Sequence, residues 1–105
     1  MGTKEFVKII NPEGEDRLRV RISTERGKVI SIMVQYEAMI DRSWYEIVRY
    51  DCAHGFLHRD LIWPNRTEKQ ALTIDNLGAA LQYAEQDIAD RWRWYRERFR
   101  KRLKK

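Results

Sequence analysis

Both histidines of the chain fall in one short stretch, RYDCAHGFLHRD (Arg49 to Asp60), together with two arginines, two aspartates and a glycine. A histidine beside a carboxylate is the usual material of general acid–base chemistry, and a neighbouring arginine can hold a phosphate or steady developing negative charge. If His54 and Gly55 make a two-residue turn, with Gly55 supplying the positive φ, the pairing follows by counting outward. Ala53 faces Phe56, Asp51 faces His58 and Arg49 faces Asp60. Asp51 then lies about 5 Å from His58, Cβ to Cβ, close enough to orient the imidazole. With Arg49 beside the pair and His54 approaching from the tip, the set Arg49, Asp51, His54 and His58 suits metal-independent phosphodiester cleavage. One group would deprotonate an RNA 2′-hydroxyl and another would protonate the leaving oxygen.

The same residues also make sense as decoration. Arg49 with Asp60 and Asp51 with His58 are opposite charges across a hairpin, each such pair contributing about 0.2–1 kcal/mol on a solvated face. A metal centre is a third reading, for a metal-dependent enzyme at His54 and His58, but no helical histidine spacing supports it. An extended strand would hold the two rings about 13 Å apart unless Gly55 folds the chain back.

The elements that position the stretch are legible from alternation. EFVKII (Glu5 to Ile10), RLRVRIS (Arg17 to Ser23), VISIMVQYEAM (Val29 to Met39), WYEIVRYDCA (Trp44 to Ala53) and FLHRDLIW (Phe56 to Trp63) alternate as half-buried strands do, with turn residues between them. PNR at 64–66 is expected to break the sheet, with a short sixth strand near Gln70 to Ile74. In the hairpin, Val48, Tyr50, Cys52, Leu57, Leu61 and Trp63 share the more apolar face with Glu46 and Arg59, and that face is expected to meet a helix. Ile47 and Ile62 flank the polar face.

From Asp75, the expected N-cap, apolar residues recur at Leu77, Leu81, Ala84, Ile88, Trp92, Tyr95, Phe99 and Leu103, the stripe of an amphipathic helix. Running from Asn76 to about Arg102, the helix is roughly 40 Å long, against about 20–33 Å for strands of six to ten residues. Its last turns, with Phe99 and Leu103, are therefore expected to overhang the sheet. The fold class is α+β, one domain over 1–105: an antiparallel meander of five or six strands (1–74) on one long C-terminal helix (75–105). A single helix leaves part of so wide a sheet uncovered, which makes a homodimer one expected arrangement.

Composition bounds the function. At 105 residues the chain suffices for one core but not for a catalytic and a separate binding domain. No apolar run is long enough to span a bilayer and no signal-peptide layout is present, so a cytoplasmic address and no membrane partner are expected. The lone Cys52 excludes an internal disulfide and a two-cysteine zinc clip, and is expected to be a small buried residue. No cofactor motif appears: no phosphate loop, no dinucleotide fingerprint, no zinc spacing.

The net charge of +5 conceals a division. RWRWYRERFRKRLKK (residues 91–105) carries a net of +8, whereas residues 1–90 carry −3. A helix C-terminus favours a few cations through its dipole, but not so many, which points to RNA or another polyanion. Trp92, Tyr95 and Phe99 continue the core stripe. Trp94 leaves it and sits at helical spacing from Arg91 and Arg98, so Arg91, Trp94, Arg98, Lys101 and Arg102 are the predicted nucleic-acid contacts. An acidic protein partner for a non-catalytic interaction module would use the same surface.

RYDxAHGxxHRD, followed by the Trp-, Tyr- and Arg-rich helix, resembles a family of small uncharacterised prokaryotic proteins, over Trp44 to Phe99. Its core of aromatic, Asp, His and a further His is similar to the TumE-like toxins of toxin–antitoxin pairs, over about ten residues. That resemblance implies an RNA-directed or translation-blocking activity and a neutralising antitoxin, with Asp51, His54 and His58 as the corresponding positions. The Arg59-Asp60 ending departs from the further histidine expected in the toxin.

Overall fold

The computed structural model of the chain describes residues 2–53, 56–74 and 76–103, the side chains of Ala53 and Phe56 excepted. Six strands, β1 (Gly2–Ile9), β2 (Asp16–Glu25), β3 (Lys28–Ile40), β4 (Ser43–Ala53), β5 (Phe56–Trp63) and β6 (Arg66–Leu72), precede one helix, α1 (Leu77–Leu103). They form a single antiparallel sheet in the order β1-β2-β3-β4-β5-β6. The expected α+β meander is present, with the sixth strand beginning at Arg66 rather than near Gln70. Pro64 and Asn65 therefore make a turn between paired strands instead of ending the sheet.

Tight turns keep consecutive strands adjacent. Arg26-Gly27 and Asp41-Arg42 take positive φ at both central positions (52° and 77°, 51° and 68°), the backbone sense that matches the twist of a two-residue hairpin. Leu18, Val20, Ile32, Val34, Tyr36, Val48, Tyr50, Cys52, Leu57 and Leu61 make the sheet's side of the core, and Ala80, Ala84, Ile88, Tyr95 and Phe99 the helix's side. Cys52 is buried as expected, and burial, assisted by the Asp51 charge, pushes its thiol pKa up.

The helix packs over β3, β4 and β5. Its cap is Asn76, whose Oδ1 accepts the Ala79 N–H at 3.0 Å, one residue later than the sequence suggested. Asp75 lies outside the described residues. Tyr50 reaches Asp87, whereas Tyr45 stacks on Phe99 at 5.3 Å between centroids, so the helix runs antiparallel to β4. The twelve helical steps and five strand steps between these contacts both cover about 17 Å, which keeps the two elements side by side.

The expected overhang is absent. Phe99 is buried and Leu103 packs against the core, because β3 and β4, at 13 and 11 residues, are longer than the alternation suggested. Two carboxylates fasten the helix from within. Asp16, 1 % exposed, accepts from Tyr36 Oη at 2.5 Å and Asn11 Nδ2 at 2.6 Å and lies 3.3 Å from Arg96 Nε, while Arg96 Nη2 donates to the Met39 carbonyl. Asp87 does the equivalent near the middle of the helix. No helix among the described residues is long and apolar enough to cross a membrane.

Candidate functional site

The hairpin register is the one obtained by counting outward from His54-Gly55: Ala53 pairs with Phe56, Asp51 with His58 and Arg49 with Asp60. His54 and Gly55 themselves lie outside the described residues. Because side chains alternate across a sheet, the stretch Arg49 to Asp60 is divided between two faces, and each half has its own company.

On the face away from the helix, the charges choose partners other than the expected ones. Arg49 Nη2 donates to Glu46, and the cation nearest Asp60 is Lys69 at 3.8 Å. Among the described residues, Arg49 Nε and Asp60 Oδ1 are both buried without a hydrogen-bond partner, and no Arg49–Asp60 ion pair is formed across the strands. The cause is a bulge. The β3–β4 register shifts after Tyr36, leaving Ile47 as an extra residue between Val48 and Glu46. Ile47 is thereby buried instead of flanking the polar face, and Glu46 is turned from the expected helix side to the open side, within reach of Arg49.

Asp51 is exposed and His58 half-buried, side by side in register, but among the described residues no hydrogen bond or ion pair joins them. On the side of Asp51 toward β3 and β2, away from His58, is a hollow of about 260 Å³ whose lining includes Arg21, Met33, Gln35, Glu46, Arg49 and Asp51. Among the described residues, no three His, Cys, Asp or Glu side chains converge to hold a metal ion.

On the helix face, Tyr50 and Arg59 from the same stretch are cross-strand partners. The Tyr50 hydroxyl donates to Asp87 Oδ2 at 2.6 Å, Tyr95 donates to the same oxygen at 2.6 Å, and Arg59 Nη1 donates to Tyr50 Oη at 3.3 Å. Arg59 is also clamped by Gln70, and Arg91 lies 3.5 Å from Asp87 Oδ1. Burial, then the bond to Asp87, raises both phenols, with Tyr95 pushed up to about 12 and Tyr50 far above the ordinary range. Nothing in the sequence pointed to this node, since Asp87 reads as an ordinary polar position on an amphipathic helix.

The predicted nucleic-acid residues divide as well. Arg91 is tied to Asp87. Trp94 is 55 % exposed, and Arg98 stacks between it and Trp63, 4.9 Å and 3.9 Å from the two ring centroids. Arg102 and Arg66 also lie over Trp63, at 4.8 Å and 5.1 Å, and Lys101 is exposed. The result is an alternation of indole and guanidinium at one end of the molecule, where the helix C-terminus meets the β3–β4 and β5–β6 turns. Trp63, Arg66 and Arg42 belong to this end and were missed, because they are remote from the tail in sequence. The signal for Trp63 was its place at the end of β5 on the helix side. Arg96 and Arg100, by contrast, are spent on Asp16 and Glu97.

The two clusters do not converge. Arg98 and Trp63 lie on the helix side at the end of β5, whereas Asp51 and His58 lie on the opposite face, about 17 Å back along the strands.

No match was found among curated proteins or among solved structures. A family model covers the whole length, residues 1–105, and the chain accordingly belongs to the family described as "Domain of unknown function (DUF7718)".

Proposed function

We propose that the chain binds single-stranded RNA at its basic end. The observation that carries this reading is the Arg98 guanidinium held between Trp63 and Trp94, with Arg66 and Arg102 against the same indole. Stacking fixes these cations in advance, so less side-chain freedom is lost when a phosphate arrives, and the exposed ring of Trp94 offers a surface for an unpaired base. Arg42, exposed in the β3–β4 turn, extends the same end.

The test is a titration of fluorescently labelled single-stranded RNA at several salt concentrations. Affinity is expected to fall steeply with salt, and the Arg98→Ala, Arg102→Ala double variant is expected to bind at least about tenfold more weakly with a shallower salt slope. Trp94→Ala is expected to cost about five- to 150-fold, the loss of one stacked base. Binding to polyglutamate in place of RNA would assign the same surface to an acidic protein.

A second reading is favoured by the register that sets Asp51 beside His58 and near Arg49. On that reading the open face cleaves RNA without a metal, in the manner the resemblance to TumE-like toxins implies, and a neutralising antitoxin would cover it. Labelled RNA on a denaturing gel, with and without EDTA, decides: cleavage that survives EDTA and is lost in His58→Ala supports it, and intact RNA in every lane removes it.

A further inference from the structure

We propose that the hollow on the open face of the sheet binds a guanine base. Two guanidinium groups, Arg21 and Arg49, and two carboxylates, Glu46 and Asp51, line it. A bare anion or a bare cation would meet as much repulsion as attraction there. The hollow therefore selects by its pattern of donors and acceptors rather than by net charge.

Much of that polar surface is already committed. Arg21 Nε donates to Glu5 at 2.9 Å, Gln35 donates its amide to Glu37, and Arg49 Nη2 donates to Glu46. The Asp51 carboxylate, exposed, has no hydrogen-bond or ion-pair partner among the described residues, and of the Arg49 guanidinium, whose Nε is buried and whose Nη2 donates to Glu46, the Nη1 nitrogen is uncommitted among them. Met33 is the register partner of both Arg21 and Asp51, so it lies between them as a floor, and a thioether is a favourable surface for a flat ring. Asp51 and Arg49 are two residues apart on one face of β4, about 7 Å along the strand, the scale of one purine.

Guanine meets this pattern most completely. Its N1–H and N2–H donors lie side by side and can satisfy both oxygens of a single carboxylate, and its O6 accepts from the uncommitted Nη1 of Arg49. Adenine and cytosine offer one amino group and uracil one imino group, so each leaves a carboxylate oxygen unpaired. The site is separate from the basic end, and a nucleoside without phosphate tests it without drawing on the cations there.

The experiment is a titration of isotope-labelled protein with guanosine, inosine, adenosine and cytidine, followed through backbone amide resonances. With guanosine, the amides of Met33, Gln35, Arg49 and Asp51 are expected to shift. Inosine, which lacks the N2 amino group, should bind about tenfold more weakly, and adenosine and cytidine weaker still. Asp51→Asn, which turns half of the acceptor into a donor, is expected to reduce guanosine affinity about tenfold or more while the rest of the spectrum keeps its wild-type dispersion. Equal binding of guanosine and inosine, unchanged binding by the variant, or guanosine shifts confined to the Trp63 and Trp94 indoles would each overturn the proposal. The last of these outcomes would still be consistent with base stacking at the basic end, and loss of RNA binding there would leave the guanosine titration unchanged, so the two assignments fail separately.

Discussion

Tyr50 donates its hydroxyl to Asp87 at 2.6 Å, and through that bond the hairpin carrying Asp51 and His58 is fastened to the helix. Asp87 also accepts from Tyr95 and sits 3.9 Å from Arg59, with its side chain only 7 % exposed. Removing the acceptor strands two buried hydroxyls and unbalances a half-buried guanidinium. Asp87→Ala is expected to destabilise the fold by about 3 kcal/mol, and Asp87→Asn, which keeps one acceptor oxygen, by about 1–2 kcal/mol. Urea unfolding measures both. A loss below about 1 kcal/mol for the alanine variant would mean that the apolar stripe and the Asp16–Arg96 contact hold the helix without help from Asp87.

The two tyrosines give the protein an alkaline limit. Burial and the Asp87 bond hold both phenols above the ordinary value of about 10, with Tyr95 at about 12. A group whose folded pKa is raised contributes stability that is complete below the unfolded value and disappears as pH rises through the folded one. The contribution of these two phenols is therefore expected to be constant up to about pH 10 and to fall from there toward pH 12. In the Tyr50→Phe, Tyr95→Phe variant that alkaline fall should be shallower but not abolished, because burial and the bond to Asp16 raise the Tyr36 phenol in the same way, and stability at neutral pH is lower. Urea midpoints alongside phenolate absorbance separate the two effects.

Glu37 sets an acid counterpart on the open face. Burial by itself would raise its carboxyl, but hydrogen bonds from Arg19, Arg17 and Gln35 outweigh burial and hold it below the usual carboxylate value. Its contribution is present above that value and is lost as pH falls through the depressed one. Glu37→Gln is expected to lower stability at pH 7 and to flatten the loss between about pH 5 and pH 2 relative to wild type. Parallel acid curves for the two proteins would assign the acid limb to other carboxylates.

Alternation carried most of the fold. Leu18, Val20 and Ile22 against Arg17, Arg19 and Arg21 define β2, and counting outward from between His54 and Gly55 gives the Asp51–His58 pairing that the strands adopt. Counting failed at Ile47, since a bulge inserts one residue without any marker in composition, and every side chain before it changes face. The site was less legible than the fold for a related reason. Asp16 and Asp87 are carboxylates whose value lies in what surrounds them, and sequence periodicity cannot tell a buried, fully bonded acid from a solvated one. Trp63 and Trp94 are 31 positions apart and share Arg98 only because the helix packs over the end of β5. Charge in the tail was visible, but its division between Arg96, locked to Asp16, and Arg98, held between indoles, depends on which side of the helix each one occupies.

Arg42 separates stability from binding. It occupies the second position of the β3–β4 turn at φ 68°, a left-handed conformation that a residue with a Cβ adopts at a cost of about 1 kcal/mol or more, and glycine is the residue such a turn prefers. Its side chain is exposed at the basic end. Arg42→Gly removes the steric cost, offset in part by the greater freedom of glycine in the unfolded chain, and is expected to stabilise the protein by about 0.5–1 kcal/mol. The same change removes a cation that the proposed RNA path would use, so affinity at low salt should fall severalfold even as the urea midpoint rises. A variant that is more stable and binds RNA as well as wild type would confine the RNA contact to the Trp63, Trp94 and Arg98 side of the end. A variant that is less stable would mean that the arginine side chain makes a compensating contact across the turn, and the strain argument would fail.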